Sequence, residues 1–316
     1  MKSRNLVKSD LPVSEVGLGC NNFGMLIDLE ESRKVIHKAI DLGITLFDTA
    51  DIYGNRGGSE TILGRVLGTR RKDIILATKV GKPMDDDGKM KGASRSYILS
   101  EVEASLRRLQ TDWIDLYQIH EPDPLTPIEE TLRALDDLVR HGKVRYLGCS
   151  NFFAQNVAEA CQLSGELKIS PFVSCQDQYN LLVRSIEQEL LPAMESHKLG
   201  LLPFFPLAGG MLTGKYKRSE EPAKGTRFAA WKDLARRYDT EANWNTVERL
   251  DRLCAKRGCS ILEVAFGWLL SKPVVASVIA GATKPEQVDM NVRAADCRMS
   301  PEDITAIESA LMPAEG

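Results

Sequence analysis

Four side chains of complementary acidity end, or closely follow, short apolar runs: Asp48 and Tyr53 in "LFDTADIYGN", Lys79 in "LATKV" and His120 in "LYQIH". A free phenol titrates near ~10, too high for easy proton exchange at neutral pH. An ammonium beside it favours the phenolate, so Lys79 is expected to lower the pKa of Tyr53. A carboxylate such as Asp48 would keep that lysine charged and oriented. His120, through an imidazole N–H, is suited to hold a carbonyl oxygen where the phenol can donate to it. Together they fit general acid catalysis of carbonyl reduction, with a hydride supplied from outside the protein. Each residue alone has an ordinary explanation: a turn cap, a half-buried aromatic, a solvated charge, a structural histidine. Their joint occurrence favours the functional reading, because every ordinary explanation would have to hold separately.

The elements that must bring them together are visible as alternation. Strand-like runs are "VSEVGLG" (13–19), "ITLFDTA" (44–50), "DIILATKV" (73–80), "WIDLYQIH" (113–120), "KVRYLGCS" (143–150), "FVSCQDQY" (172–179), "GLLPFF" (200–205) and "VASVIAG" (275–281). Several are apolar at consecutive positions, as parallel strands covered on both faces tend to be. Helical patterns separate them. Ile98, Val102, Leu106 and Leu109 make one stripe. Thr126 as cap with Glu129 as the far end of a capping box, and Pro127 at the first helical position, start another. Its apolar face is Ile128, Leu132, Leu135 and Val139, and Gly142 can end it. Eight strands alternating with helices predict an α/β fold of the (β/α)8 TIM-barrel kind, typically about 250 residues before insertions, with a doubly wound open sheet as the alternative. In a barrel the C-terminal strand ends converge, so residues 48, 53, 79 and 120 can surround one point. Two enlarged loops, 82–95 and 216–245, are expected on that same face. The N-terminal "RNLVKSDLPVSEVG" reads as a hairpin turning at Ser9–Asp10 and closing the barrel bottom. With no repeat, low-complexity tract or linker, residues 1–316 read as one domain.

Composition narrows the classes. The 316 residues are 43% hydrophobic and 27% charged, enough for a large core. A net charge of −3 without a basic run argues against a nucleic-acid surface. No apolar run reaches the ~18–20 residues of a membrane span, and the N-terminal segment lacks the apolar stretch of a secretory signal. Seven cysteines, an odd number without a C-x-x-C pair, point to reduced thiols and a cytoplasmic setting, with Cys149 and Cys175 as packed small side chains. The four histidines, 37, 120, 141 and 197, show no metal-ligand spacing. "GLGCNNFG" places Asn22 where a Rossmann fingerprint needs its third glycine, and no G-x-S-x-G elbow occurs.

"FDTADIYG", "ATKVG", "LYQIH", "GCSNF", "FPLAGGMLTGKY" and "IAGATKPEQVDMN", in this order, resemble the aldo-keto reductase family nearly end to end. The likeness is closer to its bacterial and ion-channel-subunit branches than to the vertebrate aldose-reductase branch. It implies a (β/α)8 barrel holding NADPH, with NADH possible, in an extended pose without a Rossmann domain. By this resemblance Tyr53 is the general acid, Asp48 and Lys79 tune it, His120 orients the carbonyl, and Ile52 lines the substrate pocket beside Tyr53. Asp48, Gly19, Cys20 and Asn21 would border the cofactor, Asn21 standing where vertebrate enzymes have a bulky aromatic. Ser150, Asn151 and Gln176 carry hydroxyl and amide groups suited to a carboxamide and would hold the nicotinamide. Phe204 replaces a tyrosine whose ring stacks there. Phe205 stands where a small polar residue is usual, which puts that contact to the cofactor in doubt. Pro206, Leu207, Gly209 and Lys215 would close over the pyrophosphate.

The turn at Gly281 and Thr283 precedes a helix start that suits a phosphate. Lys284 could add charge for a 2′-phosphate, with Gln287 and Asn291 facing the adenine end by resemblance. Glu121 and Asp123 read as a solvated acidic loop. The expected activity is NADPH-dependent reduction of a small-molecule carbonyl by a monomer or weak homo-oligomer. Two alternatives stand: a dehydrogenase of sugar, polyol or inositol hydroxyls, and a nicotinamide-sensing accessory subunit with little turnover. The lack of an N-terminal extension counts against the second.

Overall fold

Consecutive apolar positions bury a strand on both faces, and Ile114–Ile119 is buried at every residue. A computed structural model describes residues 1–7 and 9–312. The strands are β1 (Ser3–Asn5), β2 (Pro12–Ser14), β3 (Val16–Gly19), β4 (Leu46–Asp48), β5 (Ile75–Val80), β6 (Ile114–Ile119), β7 (Val144–Ser150), β8 (Phe172–Gln178), β9 (Gly200–Phe204) and β10 (Val278–Gly281). The last eight form one parallel sheet in the order β10-β3-β4-β5-β6-β7-β8-β9, helices covering its outside. This is the (β/α)8 barrel. Its closing seam, between β9 and β10, is thin: an isolated bridge, Leu201 to Val275, joins the sides. Leu201 N–H donates to Val274 O at 2.7 Å and Ala276 N–H to Leu201 O at 3.0 Å.

The predicted strand 13–19 is two strands in the structure. Pro12–Ser14 pairs antiparallel with Ser3–Asn5, and Val16–Gly19 alone enters the barrel. Ser14 makes the break, because its Oγ donates to Val16 O at 2.6 Å while accepting from Thr45 N–H at 2.9 Å. The hairpin closes the bottom as expected. Its Leu6, Leu11 and Val13 are buried against the interior residues Leu46, Ala77, Leu116, Val173, Leu202 and Ala276. Lys8 lies outside the described residues. Arg4 fastens the hairpin to the seam, donating from Nη1 to Val275 O at 3.0 Å and from Nη2 to Leu270 O at 2.7 Å.

The predicted capping box at Thr126 does not form. Asp123 takes the Thr126 hydroxyl at 2.7 Å together with the backbone N–H groups of Ala93 and Leu125. The helix then runs Ile128–Arg140 from an extended Pro127 with no side-chain cap, and Glu129 pairs with Arg133. Its buried face includes Leu132, Leu135 and Leu138, with Val139 and Ile128 half-buried.

After β9 the chain crosses the C-terminal face before returning through helices Glu241–Arg257 and Ile261–Leu270. Tyr216 stacks on Phe228 with ring centres 4.3 Å apart, and Phe228 on Tyr238 at 6.2 Å, so this segment has an aromatic spine of its own. Among the described residues no helix is long and apolar enough to cross a membrane.

Candidate active site

Alternation along the strands puts Leu46 and then Asp48, Ala77 and then Lys79, Leu116 and then Gln118 on the barrel interior, the lower member of each pair in the bottom core. The upper members meet. Lys79 Nζ, fully buried, donates to both Asp48 oxygens and to Thr49 O, each at 2.8 Å, and lies 3.5 Å from the Tyr53 hydroxyl. Asp48 also accepts from Gln176 Nε2 at 2.8 Å and Gln118 Nε2 at 3.4 Å. Gln118, unremarked in the sequence, is thus part of this network. Gln176, read as a carboxamide ligand, has its N–H turned to Asp48.

Burial opposes the charge on Lys79, yet Asp48 first and Tyr53 after it together outweigh burial and hold the ammonium above its ordinary range. The expectation for Tyr53 is corrected. Burial raises its pKa, and Lys79 only partly counteracts this. The phenol is therefore protonated at neutral pH, the state a proton donor needs. His120 meets the Tyr53 ring edge-on at 5.8 Å, and its Nδ1 has no hydrogen-bond partner. Burial, followed by the Lys79 and Lys82 charges, pushes its pKa well down, so the imidazole is neutral. Its N–H can hold a carbonyl oxygen but supplies no extra proton.

Tyr53 leaves the rim through unusual backbone. Gly54, Asn55, Arg56 and Gly57 follow one another at φ of 69°, 62°, 66° and 100°. Left-handed helical backbone costs about 1–2 kcal/mol for each residue bearing a Cβ, less for Asn than for Arg. Just before it, Asp51 is wholly buried; Oδ1 accepts from Ile52 N–H at 2.6 Å and Oδ2 has no partner. Burial, then the neighbouring Glu60 and Glu101, raise its pKa well above the carboxylate range. The native state therefore keeps a proton that the unfolded chain releases above about pH 4. The stability this gives is complete below that pH and declines as pH rises towards the native pKa. Asp51→Asn keeps the acceptor for Ile52 and has no such titration. Urea unfolding is expected to show the variant gaining on the wild type by ~1 kcal/mol or more between pH 4.5 and 8; a constant difference would contradict this account.

The tetrad opens into a cavity of about 700 Å³ at the C-terminal face. Tyr53, His120 and Asp48 line it, as do the sequence-picked Gly19, Cys20, Asn21, Ser150, Asn151, Gln176, Phe204, Phe205, Pro206, Leu207, Gly209, Lys215, Gly281, Thr283, Lys284, Gln287 and Asn291. Lys79 lies beneath the surface. Ile52 does not line the cavity: Tyr53 N–H closes a turn onto Ala50 O at 3.1 Å, and adjacent side chains diverge there. Gln287 lines the cavity as well, while its Oε1 accepts from the N–H groups of Thr283 at 2.7 Å and Lys284 at 3.3 Å and so caps the helix start. Glu121 pairs with Lys82, and Asp123 ties its loop to the segment before helix Arg95–Leu109 by accepting from Ala93 N–H at 2.8 Å.

The chief omission of the sequence reading is Arg227. It lies 5.0 Å over the Trp231 ring, donating to Asn22 Oδ1 at 2.8 Å and reaching to within 3.1 Å of where a Cβ on Gly281 would stand. Burial depresses the pKa of Arg227 and of Lys215, and among the described residues neither has a carboxylate partner. By surface area Arg227 is half-buried and Lys215 exposed, so both charges face the cavity, where an anion would complete them. Nothing in "KGTRFAAW" marks Arg227 beforehand, since no periodicity places that loop.

A family model described as "Aldo/keto reductase family" matches residues 15–312. The chain is 36% identical to a protein of Oryza sativa subsp. japonica named "Probable voltage-gated potassium channel subunit beta", the match covering 98% of this chain and 97% of that one. It is 35% identical to "L-glyceraldehyde 3-phosphate reductase" of Escherichia coli O157:H7, covering 100% and 94%. It is 34% identical to "Aldo-keto reductase YhdN" of Bacillus subtilis strain 168, covering 98% and 94%.

Proposed function

Because the chain belongs to the aldo/keto reductase family and is an oxidoreductase of that family, we propose that it reduces an aldehyde or ketone to the alcohol with NADPH, acting as one domain. The observation carrying this reading is that the Tyr53–Lys79–Asp48 network opens into the cavity that Lys215 and Arg227, two cations without a carboxylate partner among the described residues, also line. Those residues fit a dinucleotide. Lys215 and Arg227, both lining the cavity, carry the charge its phosphates need. Ser150 and Asn151, hydrogen-bonded to each other at 3.0 Å, offer polar groups to a carboxamide, and the Phe204 ring offers a face for stacking. Lys284, exposed beside the turn and without an acid partner among the described residues, favours a 2′-phosphate, hence NADPH over NADH.

Bound there, the dinucleotide supplies the hydride. His120 holds the carbonyl oxygen through a neutral imidazole N–H. Tyr53 gives its hydroxyl proton to that oxygen as the carbon takes the hydride. The phenolate left behind is 3.5 Å from the Lys79 ammonium, whose charge Asp48 secures. Oxidation of an alcohol uses the same groups in reverse.

The test is loss of reduced-nicotinamide absorbance when the purified protein meets NADPH and an activated aromatic aldehyde. Steady turnover supports the reading. NADPH binding without turnover on aldehydes, or on polyols with NADP⁺, overturns it and favours a nicotinamide-sensing accessory subunit, the reading suggested by relatives named as channel subunits. Removing Arg227 bears on the cofactor end separately. Arg227→Ala is expected to weaken NADPH binding about 10- to 100-fold, the worth of one or two charged hydrogen bonds. Fluorescence titration measures it, and an unchanged dissociation constant would remove Arg227 from the phosphate site.

A further inference from the structure

The left-handed turn after Tyr53 is held from behind, away from the cavity. A Cβ on Gly54 would lie 2.4 Å from Ser59 N and 2.5 Å from Phe23 O, and one on Gly57 only 2.5 Å from Arg108 Cδ. Glycine is therefore required at both ends of the turn, and the Arg108 side chain lies directly against its last residue. Arg108 belongs to the helix Arg95–Leu109. Its Nε donates to Glu60 Oε2 at 2.6 Å, and its Nη2 donates to Glu101 and to Ser105 Oγ. Glu60 is fully buried, and its other oxygen accepts from Thr78 Oγ1 at 2.5 Å. Thr78 immediately precedes Lys79 on β5. One guanidinium thus joins the underside of the turn that carries Tyr53 to the strand residue next to Lys79. None of Arg108, Glu60, Glu101 or Thr78 lines the cavity.

We propose that Arg108, acting through Glu60 and Thr78, is a positioning residue that clamps the left-handed turn onto β5 and so sets the distance between Tyr53 and Lys79. The proposal rests on Tyr53 being the proton donor. The planar fork matters here: Arg108 serves two carboxylates and packs against Gly57 at once, which a single ammonium cannot do. The Tyr53–Lys79 separation of 3.5 Å is already at the outer edge of a hydrogen bond. A shift below an ångström would uncouple the two groups, and misplacements of this size cost on the order of a hundredfold in rate. The clamp also has something to hold, since Arg56 sits at φ 66° without a glycine's freedom.

The experiment compares Arg108→Lys, Thr78→Val, Arg56→Gly and the Arg108→Lys/Arg56→Gly double variant, with Tyr53→Phe alongside. Arg108→Lys is expected to lower kcat about 10- to 100-fold with the NADPH dissociation constant unchanged. The alkaline limb of its kcat profile should move to higher pH, because a phenol farther from the ammonium titrates later. Thr78→Val, which cuts the link to the strand and leaves the ion pair, should show the same changes in smaller degree. Arg56→Gly alone should stay within about twofold of wild type. In the double variant it should recover roughly tenfold of the lost rate, because a relaxed turn no longer needs the clamp. Folded Arg108→Lys protein with unchanged kcat and unchanged alkaline limb overturns the proposal, as does absence of rescue in the double variant. If Arg108→Lys does not fold, Thr78→Val decides alone by the same two readouts. Wild-type turnover that survives Tyr53→Phe would instead sink the proton-donor reading, whatever Arg108 does.

Discussion

The Tyr53→Phe variant is expected to lose turnover by about 10²- to 10⁴-fold, the worth of a positioned general acid, while binding NADPH as the wild type does. The substitution removes one oxygen and keeps the ring, so the edge-on contact with His120 at 5.8 Å survives. Lys79 keeps its partners, both Asp48 oxygens and Thr49 O, and folding should be little disturbed. No neighbour can take over the proton. His120 is held neutral by burial and by two lysines, and Lys79 is committed to Asp48. Wild-type reduction should accordingly be flat in pH through the neutral range and fall only in strong alkali, where the raised pKa of Tyr53 is reached. Steady-state kinetics with fluorescence titration checks both halves. A variant retaining turnover within about threefold of wild type would end the case for Tyr53 as acid.

The second large effect is on stability. Lys79→Met leaves the Asp48 carboxylate 3% exposed with amide donors from Gln118 and Gln176 and no cation. Breaking a buried pair by removing one member costs about 3–5 kcal/mol, because the remaining charge stays desolvated. Urea unfolding measures the loss, and a deficit below about 1 kcal/mol would mean that the buried carboxylate does not need this cation. Turnover should fall as well, since the phenolate loses its counter-charge.

Strands were legible because burial on both faces writes itself as consecutive apolar residues, and the parallel order follows from the intervening helices. The run 13–19 misled because Ser14, which breaks it, breaks it with a side-chain hydroxyl that carries no periodicity. Thr126 has every local qualification for a cap, yet Asp123 outbids the helix for its hydroxyl. At the rim, Asp48, Lys79 and His120 were visible because strand ends are fixed by the sheet. The environment of Tyr53 was not, since burial, read from no single residue, outweighs the nearby ammonium. Arg227 escaped for a related reason: it rides a loop shaped by Tyr216, Phe228 and Tyr238.

The thin seam between β9 and β10 gives the barrel a parting line. Elsewhere neighbouring strands share at least two paired residues, whereas here the bridge at Leu201 and Val275 works with the Arg4 contacts below it. Native-state fluctuations should therefore begin as an unzipping at this place, with the amide hydrogens of Leu201 and Ala276 exchanging with solvent sooner than those in the middle of β6 or β7. The N-terminal hairpin is then more than a plug. Through Arg4 it also holds the segment that carries the bridge, so loss of that side chain is expected to hasten exchange at Leu201 and Ala276.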